Sequence, residues 1–175
     1  MRRSGVLLPV TSLPSRFGIG TFSKEAYAFV DFLKEAGQKL WQILPLGPTG
    51  YGDSPYQAFS TFAGNPYLID LEELIENGWL TEEECENTDW GGSKSYVDYE
   101  KMYQGRFPLL RKAYHNSHIA ENAEFIAFCE ENDWWLSDYA LFMAIKDSQG
   151  GASFLEWDAP LKLREPEAIR RCRHE

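Results

Sequence analysis

No apolar run in this sequence approaches the roughly 20 residues that a membrane span requires. The opening MRRSGVLLPV imitates a signal peptide only superficially, because its apolar run is short and is broken by Pro9 and then by Pro14. It reads instead as a first strand. Cysteine is scarce: Cys85, Cys129 and Cys172 are far apart and odd in number, which excludes a disulfide framework or a zinc knuckle. They read as reduced thiols in a cytoplasm. Positive charge is outweighed, with 17 Lys and Arg against 27 Asp and Glu and a formal net charge of -10. Nucleic acid and anionic membrane surfaces need a basic patch, and none is visible, so neither is the expected partner. A neutral or cationic ligand fits better. Internal repeats and low-complexity linkers are absent as well.

What the sequence does hold is apolar and aromatic material. The chain of 175 residues is 43% hydrophobic, enough to bury a real core in one domain or slightly more. Aromatic residues make up 15% of it. Flat rings with polar edges can hold the faces of sugar rings, and they can equally fill a core.

The residues GVLLPV, from Gly5 to Val10, form a nearly continuous apolar run, the pattern of a strand covered on both faces. Ser23 is a good helix N-cap, Ala26, Phe29, Val30 and Leu33 mark one apolar helical face, and Gly37 is placed to end the helix. A second apolar run, LWQILPL from Leu40 to Leu46, follows at once. Strand, helix and strand in about forty residues predict a βαβ unit with parallel strands, hence an α/β fold. Both strand-to-helix loops of such a unit leave the carboxyl end of the sheet, where α/β folds place their sites. The second of these loops, LGPTGYGDSPYQAFSTFAGNPYLIDL, is long and packed with Gly, Pro and aromatic residues, which marks it as functional.

Beyond it the pattern turns helical. Asp70 can cap LEELIEN with Gly78 as its stop, Thr81 and Glu84 have capping-box spacing, and Asp98 can cap YEKMYQGRFPLLRKAY. Two further helices are expected, from about Ala120 to Glu131 and from Ser137 to Gly150. Three parts result: residues 1–70 with the βαβ unit and its loop, 71–135 as a helical insertion, and 136–175 as a return to the main helices. The ending PEAIRRCRHE starts like a helix at Pro166 and stops without a cap, which reads as a truncation.

In GYGDSPYQ, small flexible positions surround Tyr51, Asp53, Ser54, Tyr56 and Gln57, so the backbone can turn rings and hydrogen-bonding groups together into a cleft suited to sugars. A rigid surface turn capped by Asp53 explains the same residues. A phosphate loop is not supported, since both the GxxxxGK[ST] and GxGxxG arrangements are missing. His115, His118 and Glu121 could share a helix face around a metal, but no fourth ligand is evident, and a solvated polar face accounts for them. Glu72 with Glu73, and Glu82 to Glu84, read as exposed helix faces. Catalytic carboxylates must flank a bond from separate elements, whereas consecutive helix positions point apart. No Gly-x-Ser-x-Gly elbow or Cys–His pairing occurs, so the chain shows no credible nucleophile and no catalytic residue of its own.

The blocks GVLLPVTSLPSRFGIGTF and KLWQILPLGPTGYGDSPYQAFSTFAGNPYLIDLEEL resemble the amino-terminal region of amylomaltases, the disproportionating 4-α-glucanotransferases. The resemblance continues more weakly through VDYEKMY and WLSDYALFMAIKD to WDAPLKLREPEA. It implies the N-terminal portion of a TIM (β/α)8 barrel with a mainly helical insertion, in a chain too short to close the barrel. It also implies an enzyme that moves α-1,4-glucan segments between maltooligosaccharides by a retaining double displacement, with its three carboxylates beyond residue 175 and with no cofactor. The glucan is then the partner. By the same resemblance Tyr56 borders the donor sugar with Ser54 beside it, and Tyr51 and Tyr99 belong to a second glucan-contact surface. Asp53 and Gln57 complete the expected substrate-binding set. Two other readings stay open: a non-catalytic carbohydrate-binding protein, and an α-amylase-like hydrolase.

Overall fold

The computed structural model describes residues 2–50, 52–93 and 95–174, and it divides into two compact units, Met1–Ala120 and Glu121–Glu175. In the first unit β1 (Gly5–Leu7) and β2 (Leu40–Gln42) pair in parallel, with Val6 opposite Trp41. The helix between them, α1 (Lys24–Glu35), begins where the Ser23 side chain accepts the Glu25 N–H, and it buries Ala26 and Leu33. It ends at Gly37, whose φ of 71° lies in the left-handed region that glycine enters without a Cβ penalty. Gln38 and Gly37 there donate back to the carbonyls of Leu33 and Lys34, closing the last turn. The expected βαβ unit is therefore present.

Both strands are shorter than the sequence predicts. Pro9 has no N–H to extend the ladder, and the chain from Val10 to Ser12 turns into a 3-10 helix. Nor are the strands covered on both faces: Leu7 is 57% and Leu40 53% exposed. Strand length depends on neighbours, and each strand has one among the described residues.

The remainder of this unit is helical: α2 (Leu71–Glu76), α3 (Glu82–Glu86) and α4 (Tyr99–Ser117). Asp70 caps α2, Thr81 and Glu84 form the expected capping box of α3, and Asp98 caps α4 by accepting from the Lys101 N–H. Each such cap is worth about 1 kcal/mol. Phe17, Leu71, Leu80, Cys85, Leu109 and Ala113 form one buried cluster, and Val10, Leu13, Ala26 and Leu68 another beside Trp41. Gly20 runs so close to the first strand's exit that a Cβ there would lie 2.1 Å from the Val10 carbonyl oxygen. Arg106 is wholly buried and donates to the carbonyls of Phe17 and Ile69.

The second unit is built on α5 (Ala123–Ser148), capped by Asn122, which accepts from the N–H groups of Glu124 and Phe125. The two helices expected here are one. Asn132 and Ser137, in the segment where a break was expected, bond back onto the helix, to the Phe128 carbonyl and to the Asp133 side chain, so the ladder is not interrupted. The helix consequently runs straight across residue 135. Short helices α6 (Ala159–Lys162) and α7 (Pro166–His174) follow, with Ile145, Trp157 and Ala168 buried. The Phe142 and Trp157 rings lie 5.3 Å apart. The chain is thus mainly helical with a small parallel sheet, and no closed barrel is formed among the described residues.

Candidate functional site

The loops leaving β1 and β2 meet at one end of the sheet and enclose a cleft of about 90 Å³. Thr11 comes from the first loop, Thr49, Asp53 and Asn65 from the second, and Tyr99 from the start of α4; Pro9, Leu46 and Pro55 supply apolar walls. Local rules fix several of these positions. Asn65 accepts the Tyr67 N–H at 2.9 Å and so caps the 3-10 turn Pro66–Leu68, which turns the buried Tyr67 inward. Tyr99 is the first residue of α4, held there by the Asp98 cap.

Asp53 has a φ of 53°, a left-handed conformation that Asp adopts more readily than most residues, and its N–H donates to the Gly50 carbonyl at 3.1 Å. Burial pushes its carboxyl up from the ordinary value, and no hydrogen bond or cation among the described residues offsets this. Two phenols sense that carboxylate. Burial and then Asp53 push Tyr67 up to about 12. Tyr99 is raised by burial and then by Asp53, against a hydrogen bond with Thr11. The Thr49 hydroxyl is buried with no hydrogen-bond partner among the described residues. Polar groups of both kinds, donor and acceptor, therefore converge on one small space.

Rings continue outward from it. Tyr99 lies 6.0 Å from Tyr67, Tyr67 is 5.7 Å from Phe107, and Phe107 is 5.3 Å from Tyr103. Tyr99 is half-buried within this series, whereas Tyr103 is 59% exposed. A second, open cleft of about 400 Å³ lies between Pro45–Gly47 and Ala58–Gly64, with the Ser60 hydroxyl accepting from the N–H groups of Phe62 and Ala63.

Of the residues singled out from sequence, Asp53 and Tyr99 come together in the small cleft. Tyr56 stands on the outside of the same loop, 73% exposed, and Gln57 is exposed with its N–H donating to the Ser54 carbonyl. Tyr51 lies outside the described residues. Sequence reasoning missed Thr11, Thr49, Asn65 and Tyr67. The Asn–Pro pair at 65–66, a turn cap with Pro at its first position, was the one local signal available.

The other candidates resolve into surface structure. Glu72 pairs with Lys24, Glu84 with Lys112, and Glu82 and Glu86 both with Arg16, so the acidic clusters face solvent-exposed cations. The His115 ring packs 5.7 Å from Tyr114, and His118 closes α4 with a φ of 50°. No group of three or more His, Cys, Asp or Glu among the described residues could hold a metal ion. All three cysteines are free, and Cys85 is buried. No helix among the described residues is long and apolar enough to cross a membrane.

The sequence model of the 4-alpha-glucanotransferase family matches residues 8–175. The chain belongs to the 4-alpha-glucanotransferase family. It is similar to the 4-alpha-glucanotransferases of Thermus thermophilus, 48% identical over 98% of this chain and 34% of that protein, and of Aquifex aeolicus, 49% identical over 98% and 34%. Its fold is similar to the structure of an amylomaltase from Streptococcus agalactiae in complex with acarbose, with a TM-score of 0.92 and 46% identity, covering 99% of this chain and 35% of that one. The chain spans about a third of the length of these glucanotransferases. Within a 4-alpha-glucanotransferase segment, then, the residues gathered at the two strand ends form a polar and aromatic surface whose small cleft holds a single carboxylate, that of Asp53.

Proposed function

We propose that the protein carrying this chain is a 4-α-glucanotransferase, moving α-1,4-glucan segments between maltooligosaccharides by a retaining double displacement. The observation that carries this reading is the 48% identity maintained over 98% of the chain to a relative of that description. In this reading the chain supplies the opening βαβ unit of a TIM barrel, residues 1–70, then a helical insertion over 71–135 and barrel helices over 136–175. The acid and the nucleophile of the double displacement must sit about 5 Å apart. By the family resemblance that pair lies beyond residue 175. This chain binds and orients.

Its contribution is a set of sugar contacts. Tyr56, exposed on the loop after β2, borders the donor sugar with Ser54 beside it, and Gln57 adds a polar edge. By the chain's resemblance to the family, the second contact surface takes Tyr51 and Tyr99. Tyr99, at the start of α4, is half-buried and lines the small cleft. Aromatic faces also keep water from the reaction centre, which favours transfer over hydrolysis. Carboxylates alone can do this chemistry, so no cofactor is required, and a cytoplasmic location suits the three free thiols.

The test is acceptor labelling. Incubated with maltotriose and labelled glucose, the native protein carries label into oligosaccharides of two or more units. Label that stays in free glucose while maltotriose is consumed identifies a hydrolase instead.

A further inference from the structure

Helix α4 is weakest in its middle, and the wholly buried Arg106 sits there. Pro108 has no N–H for the Gln104 carbonyl, and Gly105, a poor helix former, is held small because a Cβ would lie 2.5 Å from the Thr88 Cγ2. The two halves of the helix therefore need separate anchors. After Pro108, Leu109 and Ala113 join the cluster around Leu71 and Cys85; before it, Met102 packs with Ile19 and Tyr67.

Apolar packing of that first half holds it close without fixing its direction, since burial is non-directional. Arg106 adds direction. Its guanidinium donates to the carbonyls of Ile69 and Phe17, which lie on two different segments, while its Nε is buried with no partner among the described residues. A Met there would fill the space without burying a charge, and it would lose the planar fork.

The fork holds segments that themselves end at the small cleft. Gly20 donates to the Thr11 carbonyl at 3.1 Å and Phe22 to the Leu68 carbonyl at 3.3 Å, and both Thr11 and Leu68 line that cleft. Tyr99 faces them from two helical turns before Arg106, on the same face of α4, with a side-chain hydrogen bond to Thr11. The direction of the first half of α4 is thus the direction in which Tyr99 is presented.

We propose that Arg106 is a positioning residue for glucan binding, locking the first half of α4 onto the two loop segments so that Tyr99 stands in place at the second contact surface. Arg106 touches no sugar and acts through Tyr99. The assignment rests on the glucanotransferase reading above and on the role that the resemblance gives Tyr99.

The experiment reads a ratio in the native protein and its variants: kcat/KM for amylose divided by kcat/KM for maltotriose. A trisaccharide held at the reacting bond has no units left for a second surface, whereas a long glucan has. The ratio cancels any loss of folded protein, so a destabilised variant still reports through the fraction that folds. Arg106→Met, Arg106→Lys and Tyr99→Ala should each lower it fivefold or more. The double variant Arg106→Met with Tyr99→Ala should fall no further than Tyr99→Ala alone, because residues acting as a unit are not additive. An unchanged ratio in either Arg106 variant gives that residue a structural role only and overturns the proposal. An unchanged ratio in Tyr99→Ala overturns it as well, whatever the Arg106 variants do, and so does a double variant in which the two losses multiply. Absence of any transfer from maltotriose by the native protein instead removes the glucanotransferase reading itself, a distinct failure.

Discussion

The guanidinium of Arg106 donates from inside the core to the carbonyl oxygen of Ile69, and a second nitrogen reaches the Phe17 carbonyl at 3.5 Å. Helix α4 thereby holds both the loop that follows β1 and the chain just after the Asn65 turn. Val10 and Thr11 of that loop and Leu68, the neighbour of Ile69, line the small cleft. Burial pulls the guanidinium down to about 10, against the pull of the nearby Asp70 carboxylate, so this cation is kept at a cost.

Replacing Arg106 by Met keeps much of the volume but orphans two backbone carbonyls. The native protein should lose about 2 kcal/mol in urea unfolding. Arg106→Lys should recover little of this, since a single ammonium does not reproduce the planar fork that serves both carbonyls. A Met variant as stable as the parent would show that the two bonds contribute nothing net.

Asp53 should behave in the opposite way. Its carboxyl is raised in the folded state, so the folded protein binds the proton more tightly than the unfolded chain. Its contribution to stability is therefore present below the unfolded carboxylate range and is lost as pH rises through the folded value. At neutral pH the charge is a burden, and Asn also tolerates the left-handed φ. Asp53→Asn should leave the fold equally or slightly more stable at pH 7, with the difference vanishing on acidification. Denaturation curves at pH 7 and pH 3.5 measure it; a variant less stable at pH 7 contradicts the unpaired carboxylate.

Tyr56 carries little of the fold, since its ring is 73% exposed. Tyr56→Ala should leave the unfolding midpoint within error of the parent, because exposed truncations cost about 0.5 kcal/mol or less. Transfer from maltotriose should fall about tenfold or more, with the larger share in kcat if the ring orders the donor at the reacting bond. Unchanged transfer kinetics would remove Tyr56 from the site.

Much of the fold was legible because helix ends are local. Ser23, Asp70, Thr81 with Glu84, Asp98, Gly37 and Gly78 act through atoms within a few residues, and each does what its position predicts. Strand length was not legible, because the apolar runs at 5–10 and 40–46 say nothing about how many neighbours a strand finds. The continuity of α5 was hidden by Asn132, Asp133 and Ser137, whose polarity resembles a loop until their side chains are seen folded back on the helix. In the site, Asp53 stood out through the glycines around it. Thr11, Asn65 and Tyr67 could not, since only the meeting of two loops with α4 gives them a shared cleft or a shared carboxylate.

The central claim is transfer, and the products formed from maltotriose by the native protein test it most directly. The account predicts glucose together with a ladder of oligosaccharides longer than three units, appearing from the earliest time points with no rise in total reducing ends. Glucose and maltose alone, with reducing ends rising in step, or no conversion at all, would contradict it.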